Sequence, residues 1–346
     1  MLNTGPARPW LFVAFAAVLS VGCYLKPLVE FDSYEYAAAA GANPRDLGFA
    51  SEPSPYLKLV LDDPAARETV GTFYRPKVLY WLIARGLWRA GMPIKKALGF
   101  IAALAFFGIA LVLARWTKGP YWLCAVVMLA PSFVNSGRSL LPDTLTALFA
   151  FLGLYLGPFG LPLMVASIWT RPDAIFFAGW AVLYLLWRRR IRWPVALGSL
   201  AAFALSLALI IQLSHWSMGR VYYNGLVQHV TINPEAWSSL GIVRYLKALF
   251  ACTRELASST TAPFWVLLGV VAWRLPENRP LLLVAALAIA SRLIIFPFTE
   301  DRYFLASWLV VAACFILTMK DLSCTTASSN PARLAPGVPE KPSSIS

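Results

Sequence analysis

Long apolar runs separated by short polar segments dominate the chain and constrain its fold more than any other feature. A helix needs about 20 mostly apolar residues to cross a membrane, and shorter helices are tolerated inside a bundle. Backbone polar groups have no water partner in lipid, so such runs form helices. The sequence therefore predicts an all-α, polytopic integral membrane helical bundle with about 10 or 11 apolar segments. The candidate segments are 10–29, 78–93, 97–115, 119–135, 142–157, 160–170, 174–187, 193–214, 262–274, 280–297 and 304–319.

The composition agrees with a membrane protein. Hydrophobic residues make up 59% of the 346 residues and charged residues 14%, against about 25% charged in an average soluble domain. A net charge of +13 could indicate nucleic-acid binding, but the basic residues stand beside apolar runs, as at Lys95–Lys96 and Arg188–Arg190. That arrangement is typical of cytoplasmic loops, so we predict membrane lipids and no nucleic acid as partners.

Two polar segments interrupt the predicted membrane domain, residues 1–320, and a polar tail follows it. The segments 30–77 and 215–261 are too polar to span, and we predict that both are outer loops. The first holds eight acidic and five basic residues, a balance that favours the non-cytoplasmic side, and its short amphipathic pieces predict a structured loop. Residues 321–346 are rich in Ser, Pro and Ala, which predicts a disordered cytoplasmic tail.

The membrane topology requires one run to be an incomplete crossing. If all eleven runs crossed, the arginine cluster at 188–192 would lie outside, against the positive-inside rule. The runs 119–135, broken at Pro131, and 160–170, about 16 Å long as a helix, are the doubtful ones. Either choice places both termini in the cytoplasm and the other polar clusters outside; the two choices differ in the location of Asp143.

The stretch FDSYEY (31–36) places Asp32 and Glu35 one helical turn apart at the exit of the first run. If the helix continues, the two carboxylates face the same way. They could raise one another's pKa, bind a divalent cation, or accept a proton from an alcohol. They could equally be solvated residues at a helix exit, and Glu30 shows that acids are common there.

Two further clusters stand at predicted helix starts. In SGRSLLPD, Asp143 has the position of a capping residue, and Arg138 could bind a phosphate. In TRPDA, Pro172 and Asp173 suit a first helical turn. Arg171 is less expected on the non-cytoplasmic side, where it could bind an anion or form a structural ion pair.

The stretch FTEDRY (298–303) is the most concentrated cluster, with Glu300, Asp301, Arg302 and Tyr303 between two apolar runs. Ionisable residues near membrane depth cost up to about 2.5–3.5 kcal/mol each, so they persist mainly where they are paired or functional. A local pair of Glu300 with Arg302 worth under about 1 kcal/mol is the simpler alternative.

Other chemistries receive little support from the sequence. The five cysteines show no CxxC spacing and the two histidines are far from them, so no zinc site is predicted. The chain contains no Walker loop, GxSxG, HExxH or dinucleotide-binding motif. We therefore assign no cofactor and no metal ligands, while a divalent cation at the paired carboxylates stays open.

Taken together and in this order, the four clusters resemble motifs of the C-type glycosyltransferase superfamily, over roughly residues 10–320 of the chain. FDSYEYA is similar to the motif of the family's first outer loop, SGRSLLPD to its Arg-then-Asp helix entry, and TRPDA to its Arg-Pro entry. FTEDRYFLASWLVV resembles a motif of the mannosyltransferase-like branch. The chain departs from the family in having no DxD motif, no large soluble C-terminal domain and no HKE before the final arginine.

The resemblance implies a transferase on the non-cytoplasmic face of a bacterial inner membrane or of the endoplasmic reticulum. The donor would be a polyprenyl-phosphate-linked sugar, with a mannose-like hexose favoured, and the acceptor a hydroxyl on a lipid, a glycan or a protein. Asp32, or alternatively Glu35, would accept the acceptor's proton during an inverting displacement. Arg171, Arg302 and Arg138 would stabilise the departing phosphate. Asp143 would orient the acceptor or help hold a cation, and the loop aromatics Tyr222, Tyr223 and Trp237 would stack on sugar rings. The resemblance also places Asp143 outside and makes 119–135 the incomplete crossing.

Two alternatives remain from other functional classes. A transporter or flippase for lipid-linked sugars would also use arginines and aromatic residues, but it predicts polar residues near the middle of the membrane. A non-catalytic membrane subunit that positions a partner protein is the other alternative.

Overall fold

The computed structural model describes residues 9–48, 74–215, 242–259, 261–297 and 300–328, and these residues are almost entirely helical. No β-strand occurs in these ranges apart from an isolated bridge between Leu28 and Ser139. The helices are α1 (Pro9–Leu25), α2 (Phe31–Ala39), α3 (Val78–Arg89), α4 (Ile94–Thr117), α5 (Tyr121–Met128), α6 (Pro131–Arg138), α7 (Asp143–Leu156), α8 (Leu161–Thr170), α9 (Ile175–Trp187), α10 (Trp193–Ser214), α11 (Ile242–Ser258), α12 (Ala262–Ala272), α13 (Arg279–Ile295) and α14 (Leu305–Ser328).

Several helical stretches are long and apolar enough to cross a membrane. Within the described ranges there are five: Ile94–Thr117, Asp143–Thr170, Trp193–Ser214, Pro276–Ile295 and Arg302–Ser323. A sixth results if the bent pair α11 and α12 counts as one span, and Pro9–Leu25 and Pro172–Trp187 are shorter apolar helices. These helices support the predicted all-α, multi-pass bundle.

The stretch Asp143–Thr170 folds back on itself, so it forms two helices of the bundle. A straight helix of 28 residues would be about 42 Å long. Arg171 follows its last residue, yet the guanidinium of Arg171 pairs with the carboxylate of Asp143. The 3-10 turn Gly157–Gly160 reverses the chain between α7 and α8. The prediction of two separate segments in this region, 142–157 and 160–170, agrees with this hairpin.

Glycine at the turn allows α7 and α8 to approach closely. A Cβ atom on Gly160 would overlap the carbonyl oxygen of Gly153. We expect Gly160→Ala to lower the free energy of unfolding by about 1–3 kcal/mol, as overpacking does in other cores. Gly198 of α10 has no neighbouring atom within 4 Å of such a Cβ, which makes Gly198→Ala the matched control. Equal unfolding midpoints for the two variants in mixed micelles would contradict the hairpin packing.

The helices α5 and α6 follow α1 along its length in the opposite direction. The ring of Phe12 lies 6.0 Å from that of Tyr121 near the start of α1, and Nε of Arg138 donates to the carbonyl of Lys26 at 2.8 Å just beyond its end. The two eight-residue helices therefore traverse the same distance as α1. The break before Pro131 interrupts the helix without turning the chain back, and the incomplete crossing at 119–135 stays a prediction.

The segment 78–93 was predicted as a span, but its helix α3 has only 12 residues and is not among the described helices that are long and apolar enough to cross a membrane. Arg85 of α3 donates to the carbonyls of Ala39 and Ala40 at 2.9 Å each, and the ring of Tyr80 lies 5.3 Å from that of Tyr36. Helix α3 thus packs along α2, at the end of the bundle where α1 terminates. With α2, it gives the described part of the first polar segment a folded structure, as predicted; residues 49–73 lie outside the described ranges.

The polar clusters lie at the opposite end of the bundle from the start of α1 and the end of α14. Lys320, near the end of α14, donates to the carbonyls of Thr117 and Lys118 at 3.3 Å, and Arg190 adjoins Gly157 at the α7–α8 turn. The start of α1 lies at this same end. We call the other end, where α1, α6 and α8 terminate, the site end. That the site end faces away from the cytoplasm stays a prediction.

The predicted tail begins as a continuation of the last helix. Helix α14 extends to Ser328, so residues 321–328 are helical and the prediction of disorder is wrong for them. The first helix-breaking residue after Arg302 is Pro331, which allows the helix to continue beyond the apolar run. Residues 329–346 lie outside the described ranges.

Candidate functional site

Asp32 lies in the first turn of α2 and holds two hydrogen-bond donors from distant parts of the chain. The hydroxyl of Tyr74 donates to its Oδ1 at 2.7 Å, and Nη2 of Arg302 donates to its Oδ2 at 3.1 Å. The positive end of the helix dipole also favours a carboxylate at this position. The side chain keeps 23% of its surface exposed, so Asp32 is both fixed and accessible.

Glu35 follows one turn later on α2 but is more deeply placed. The residue is only 5% exposed, and it lies among the buried residues Ser33, Tyr34 and Tyr36 of the same helix. Of the two predicted catalytic carboxylates, Asp32 is therefore the one that faces the other polar clusters with an accessible oxygen.

Arg302, just before α14, forms ion pairs with three carboxylates. Its Nη1 donates to Oε2 of Glu30 at 2.7 Å, its Nη2 reaches Asp32, and its Nε pairs with Glu300. Ser139 supports Glu30 from the other side, with its Oγ donating to Oε1 at 2.7 Å. Arg302 thus links the first polar segment, the end of α6 and the start of α14.

A second charge cluster joins α7, α8, α9 and α13. Arg171 donates through Nε and Nη2 to the two oxygens of Asp173 at 2.9 and 2.8 Å, and its Nη1 pairs with Asp143. Nε of Arg292 donates to Oδ2 of Asp173 at 3.0 Å. This forked geometry is the one that guanidinium groups use on carboxylates and phosphates.

The ring of Tyr303 lies between the two clusters. The guanidinium carbon of Arg171 is 4.2 Å from its centroid and that of Arg292 is 4.3 Å away, distances typical of cation–π contacts. Because Tyr303 follows Arg302 directly, the aromatic ring connects both arginine groups into one site.

A small cavity opens between these side chains. Its charged lining consists of Asp143, Arg171, Asp173, Arg292 and Arg302, and Phe176, Phe177, Phe304 and Ile289 contribute apolar walls. The cavity measures about 40 Å³, enough for a few water molecules. A larger ligand therefore requires the surrounding side chains to move.

The structure brings together seven of the ten predicted site residues: Asp32, Asp143, Arg171, Asp173, Glu300, Arg302 and Tyr303. Glu35 stays in the buried part of α2. Arg138 holds the backbone at the end of α1 through its Nε, as described above, and it adjoins the site only through its neighbour Ser139. The side chain of Asp301 and the loop residues Tyr222, Tyr223 and Trp237 lie outside the described part of the chain.

Four residues at the charged site were not predicted from the sequence: Glu30, Tyr74, Lys77 and Arg292. Arg292 stands alone in the apolar run 280–297, and a lone charge in such a run is itself a signal of function or pairing. Tyr74 and Lys77 precede α3 without any distinctive motif. Burial, together with the positive charge of Arg171, lowers the pKa of Lys77 to about 7, so this ammonium group titrates close to neutral pH.

Tyr74 is expected to support Asp32 through their hydrogen bond. Burial and the charge of Asp32 raise the pKa of Tyr74 above its ordinary value, so the phenol stays protonated and donates. A hydrogen bond to a charged group contributes about 1.5–3 kcal/mol. We expect Tyr74→Phe to reduce any Asp32-dependent activity about 10-fold or more, because the carboxylate loses the hydrogen bond that holds it. An unchanged rate would contradict this role.

Metal binding finds no further support in the structure. Across the described ranges, no group of three His, Cys, Asp or Glu side chains is arranged to hold a metal ion. Glu30, Asp32 and Glu300 do converge, but the guanidinium of Arg302 occupies the space between them. The divalent cation considered from the sequence stays a prediction.

Comparisons of the chain with models of known protein families, with curated proteins and with solved structures found no match.

Proposed function

We propose that the chain is an integral membrane glycosyltransferase that acts at the site end of the bundle. It transfers a hexose, with a mannose-like sugar favoured, from a polyprenyl phosphate to a hydroxyl group of a lipid, glycan or protein acceptor on the non-cytoplasmic face. The observation that carries the proposal is the pairing of an accessible carboxylate, Asp32, with Arg302, which lines the same cavity as Arg171 and Arg292 at one end of an apolar bundle. Such a site combines a base with phosphate-binding cations.

The proposed reaction is a direct displacement at the anomeric carbon. The acceptor oxygen forms a bond to this carbon while the bond from the carbon to the phosphate oxygen breaks. The acceptor's proton moves to Asp32, and the electron pair of the broken bond stays on the lipid phosphate. The anomeric configuration therefore inverts, and positioned proton transfer of this kind contributes about 10²–10⁴-fold to a rate.

The arginines would stabilise the departing phosphate. Arg171, Arg292 and Arg302 line one cavity, and fixed donors aimed at developing charge act strongly where water is excluded. Without substrate, their charges are balanced by Glu30, Asp32, Asp143, Asp173 and Glu300. An incoming phosphate would take over some of these contacts, and this exchange would widen the cavity.

Release of Arg302 from Asp32 would prepare the base. In the structure each oxygen of Asp32 already accepts one hydrogen bond, from Tyr74 and from Arg302. When Arg302 turns to the phosphate, Oδ2 becomes free to accept the acceptor's proton. Donor binding would thereby precede activation of the acceptor.

The apolar cavity walls suit a lipid-linked donor. Phe176 and Phe177 on α9 and Ile289 on α13 border the charged residues directly. A polyprenyl chain could leave the cavity between these helices without crossing a polar surface. A nucleotide site is not required because the lipid phosphate is the leaving group.

The transporter alternative is less well supported by the arrangement of charges. A carrier of lipid-linked sugars needs polar groups near the middle of the bundle. The charge clusters described above lie instead at helix ends, at the starts of α2, α7 and α14 and near the end of α13.

The proposal is tested in cells by mass analysis of the glycans on lipids and envelope proteins. Removing the protein should delete one hexose-containing species and accumulate its acceptor. The unsubstituted chain should restore that species, and Asp32→Asn, expressed at the same level, should not. Identical glycan profiles with and without the protein would contradict the proposed function.

A further inference from the structure

Helix α11 is an amphipathic helix beside the site end, and one of its faces is strongly apolar and exposed. Ile242, Leu246 and Phe250 repeat every four residues and are 69%, 53% and 71% exposed. On a helix this spacing places them along one face. Val243 adds to the same face with 60% exposure.

A different face of α11 attaches it to the rest of the protein. Ala248 and Cys252 are fully buried, and the hydroxyl of Tyr245 donates to the carbonyl of Ile294 at 2.8 Å. Ile294 lies two residues beyond Arg292, so α11 packs directly behind the wall of the charged site. The exposed apolar face is therefore held in a fixed position.

The orientation of α11 differs sharply from that of its neighbour α12. The two helices meet at an angle of 76°. Val266, Leu267 and Val270 of α12 are about 60% exposed, which is the surface of a helix that faces lipid chains. If α12 runs across the bilayer, α11 lies nearly parallel to the membrane plane.

Basic residues border the apolar face of α11. Lys247 and Arg254 are exposed and are seven residues apart, so they follow one line along the helix. By helical position they lie on the side of the apolar face away from Ala248 and Cys252. A helix in a membrane interface has this three-way division: protein contact, acyl-chain contact and a basic edge at the lipid headgroups.

We infer that α11 lies in the interfacial layer of the leaflet at the site end, where its apolar face enters the lipid and Lys247 and Arg254 bind anionic phospholipid headgroups. The inference does not depend on the proposed transfer reaction. Basic side chains near an anionic membrane surface are attracted to its headgroups. With α11 in this position, the lipid headgroup layer would lie next to α13 at the charged site.

The first test measures the depth of a fluorescent label in the full-length protein reconstituted in vesicles. An environment-sensitive nitrobenzoxadiazole label is attached at Phe250→Cys on the apolar face or at Ser258→Cys, an exposed position nearer the basic edge. Unsubstituted protein gives the background from native cysteines, of which Cys23, Cys124, Cys252 and Cys314 are buried. We expect spin-labelled lipid to quench the label at position 250 several-fold more than the one at 258, and aqueous iodide to do the reverse.

The second test addresses the headgroup charge. Vesicles of phosphatidylcholine alone are compared with vesicles of phosphatidylcholine and phosphatidylglycerol in equal amounts. The anionic lipid should increase lipid quenching at position 250, high salt should remove the increase, and the double variant Lys247→Gln with Arg254→Gln should lack it. Quenching at position 250 that is independent of lipid charge in the labelled protein that retains Lys247 and Arg254 would overturn the headgroup contact.

Two outcomes of the first test would overturn the interfacial placement. Efficient iodide quenching at position 250 would place the apolar face in water. A label at 250 that is shielded from both quenchers would show that a second copy of the chain or another protein covers α11.

Discussion

Asp32→Asn is expected to reduce sugar transfer by about 10²–10⁴-fold while leaving the protein folded. The amide is similar in size and can still accept the hydrogen bond from Tyr74, but it cannot take the acceptor's proton. The loss should appear in the catalytic rate at saturating donor, because the arginines that bind the phosphate remain. The measurement is the initial rate of transfer by purified protein, with donor affinity measured in parallel.

The matched control is Asp46→Asn. Asp46 belongs to the same polar segment as Asp32 but is exposed and lies away from the arginine cluster, so its replacement should leave the rate unchanged. Glu35→Gln separates the two predicted bases. A larger rate loss in Glu35→Gln than in Asp32→Asn would assign the proton transfer to Glu35 and contradict the role of Asp32.

Arg171→Gln is expected to produce the largest loss of stability in the site. The residue is 9% exposed and its partner Asp143 is 4% exposed. Removing one partner of a buried ion pair costs about 3–5 kcal/mol because the remaining charge is left uncompensated. The free energy of unfolding in mixed detergent micelles should fall by that amount, and transfer should be lost with it.

A second substitution distinguishes loss of charge balance from general misfolding. Asp143→Asn combined with Arg171→Gln removes both charges, so part of the lost stability should return. Arg188→Gln serves as the control, since Arg188 is exposed at the opposite end of the bundle. A double variant no more stable than Arg171→Gln would show that Asp143 is not the charge left uncompensated.

The residue types at helix boundaries allowed much of the site to be predicted. Charged residues in FDSYEY, TRPDA and FTEDRY are conspicuous because the surrounding chain is apolar, and each begins or ends a helix in the structure. Their convergence depends on helix pairing, which local sequence does not encode. The contact of Asp143 with Arg171 exists only because α7 and α8 form a hairpin closed at Gly157–Gly160.

The missed residues have less distinctive surroundings. Tyr74 reaches Asp32 across 42 positions and belongs to no charged motif, so only the packing of α3 on α2 brings it into the site. Arg292 lies inside an apolar run that was interpreted as a simple span. Its partner Asp173 lies in the 3-10 turn that directly precedes α9, and the pairing follows from the contact between α9 and α13.

The segment 78–93 was predicted as a span because it is apolar. In the structure Arg85 is satisfied by the carbonyls of Ala39 and Ala40, which fixes α3 beside α2. The break at Pro131 does not redirect the chain, because α5 and α6 both remain packed along α1.

The most direct test of the proposed function supplies purified protein with a short-chain polyprenyl-phosphate hexose and a panel of hydroxyl acceptors. We expect the hexose to be transferred with an inverted anomeric configuration, detected by mass spectrometry and nuclear magnetic resonance, and Asp32→Asn to lose this product. The contradicting result is an unmodified donor that the protein moves between the leaflets of sealed vesicles at a rate unaffected by Asp32→Asn.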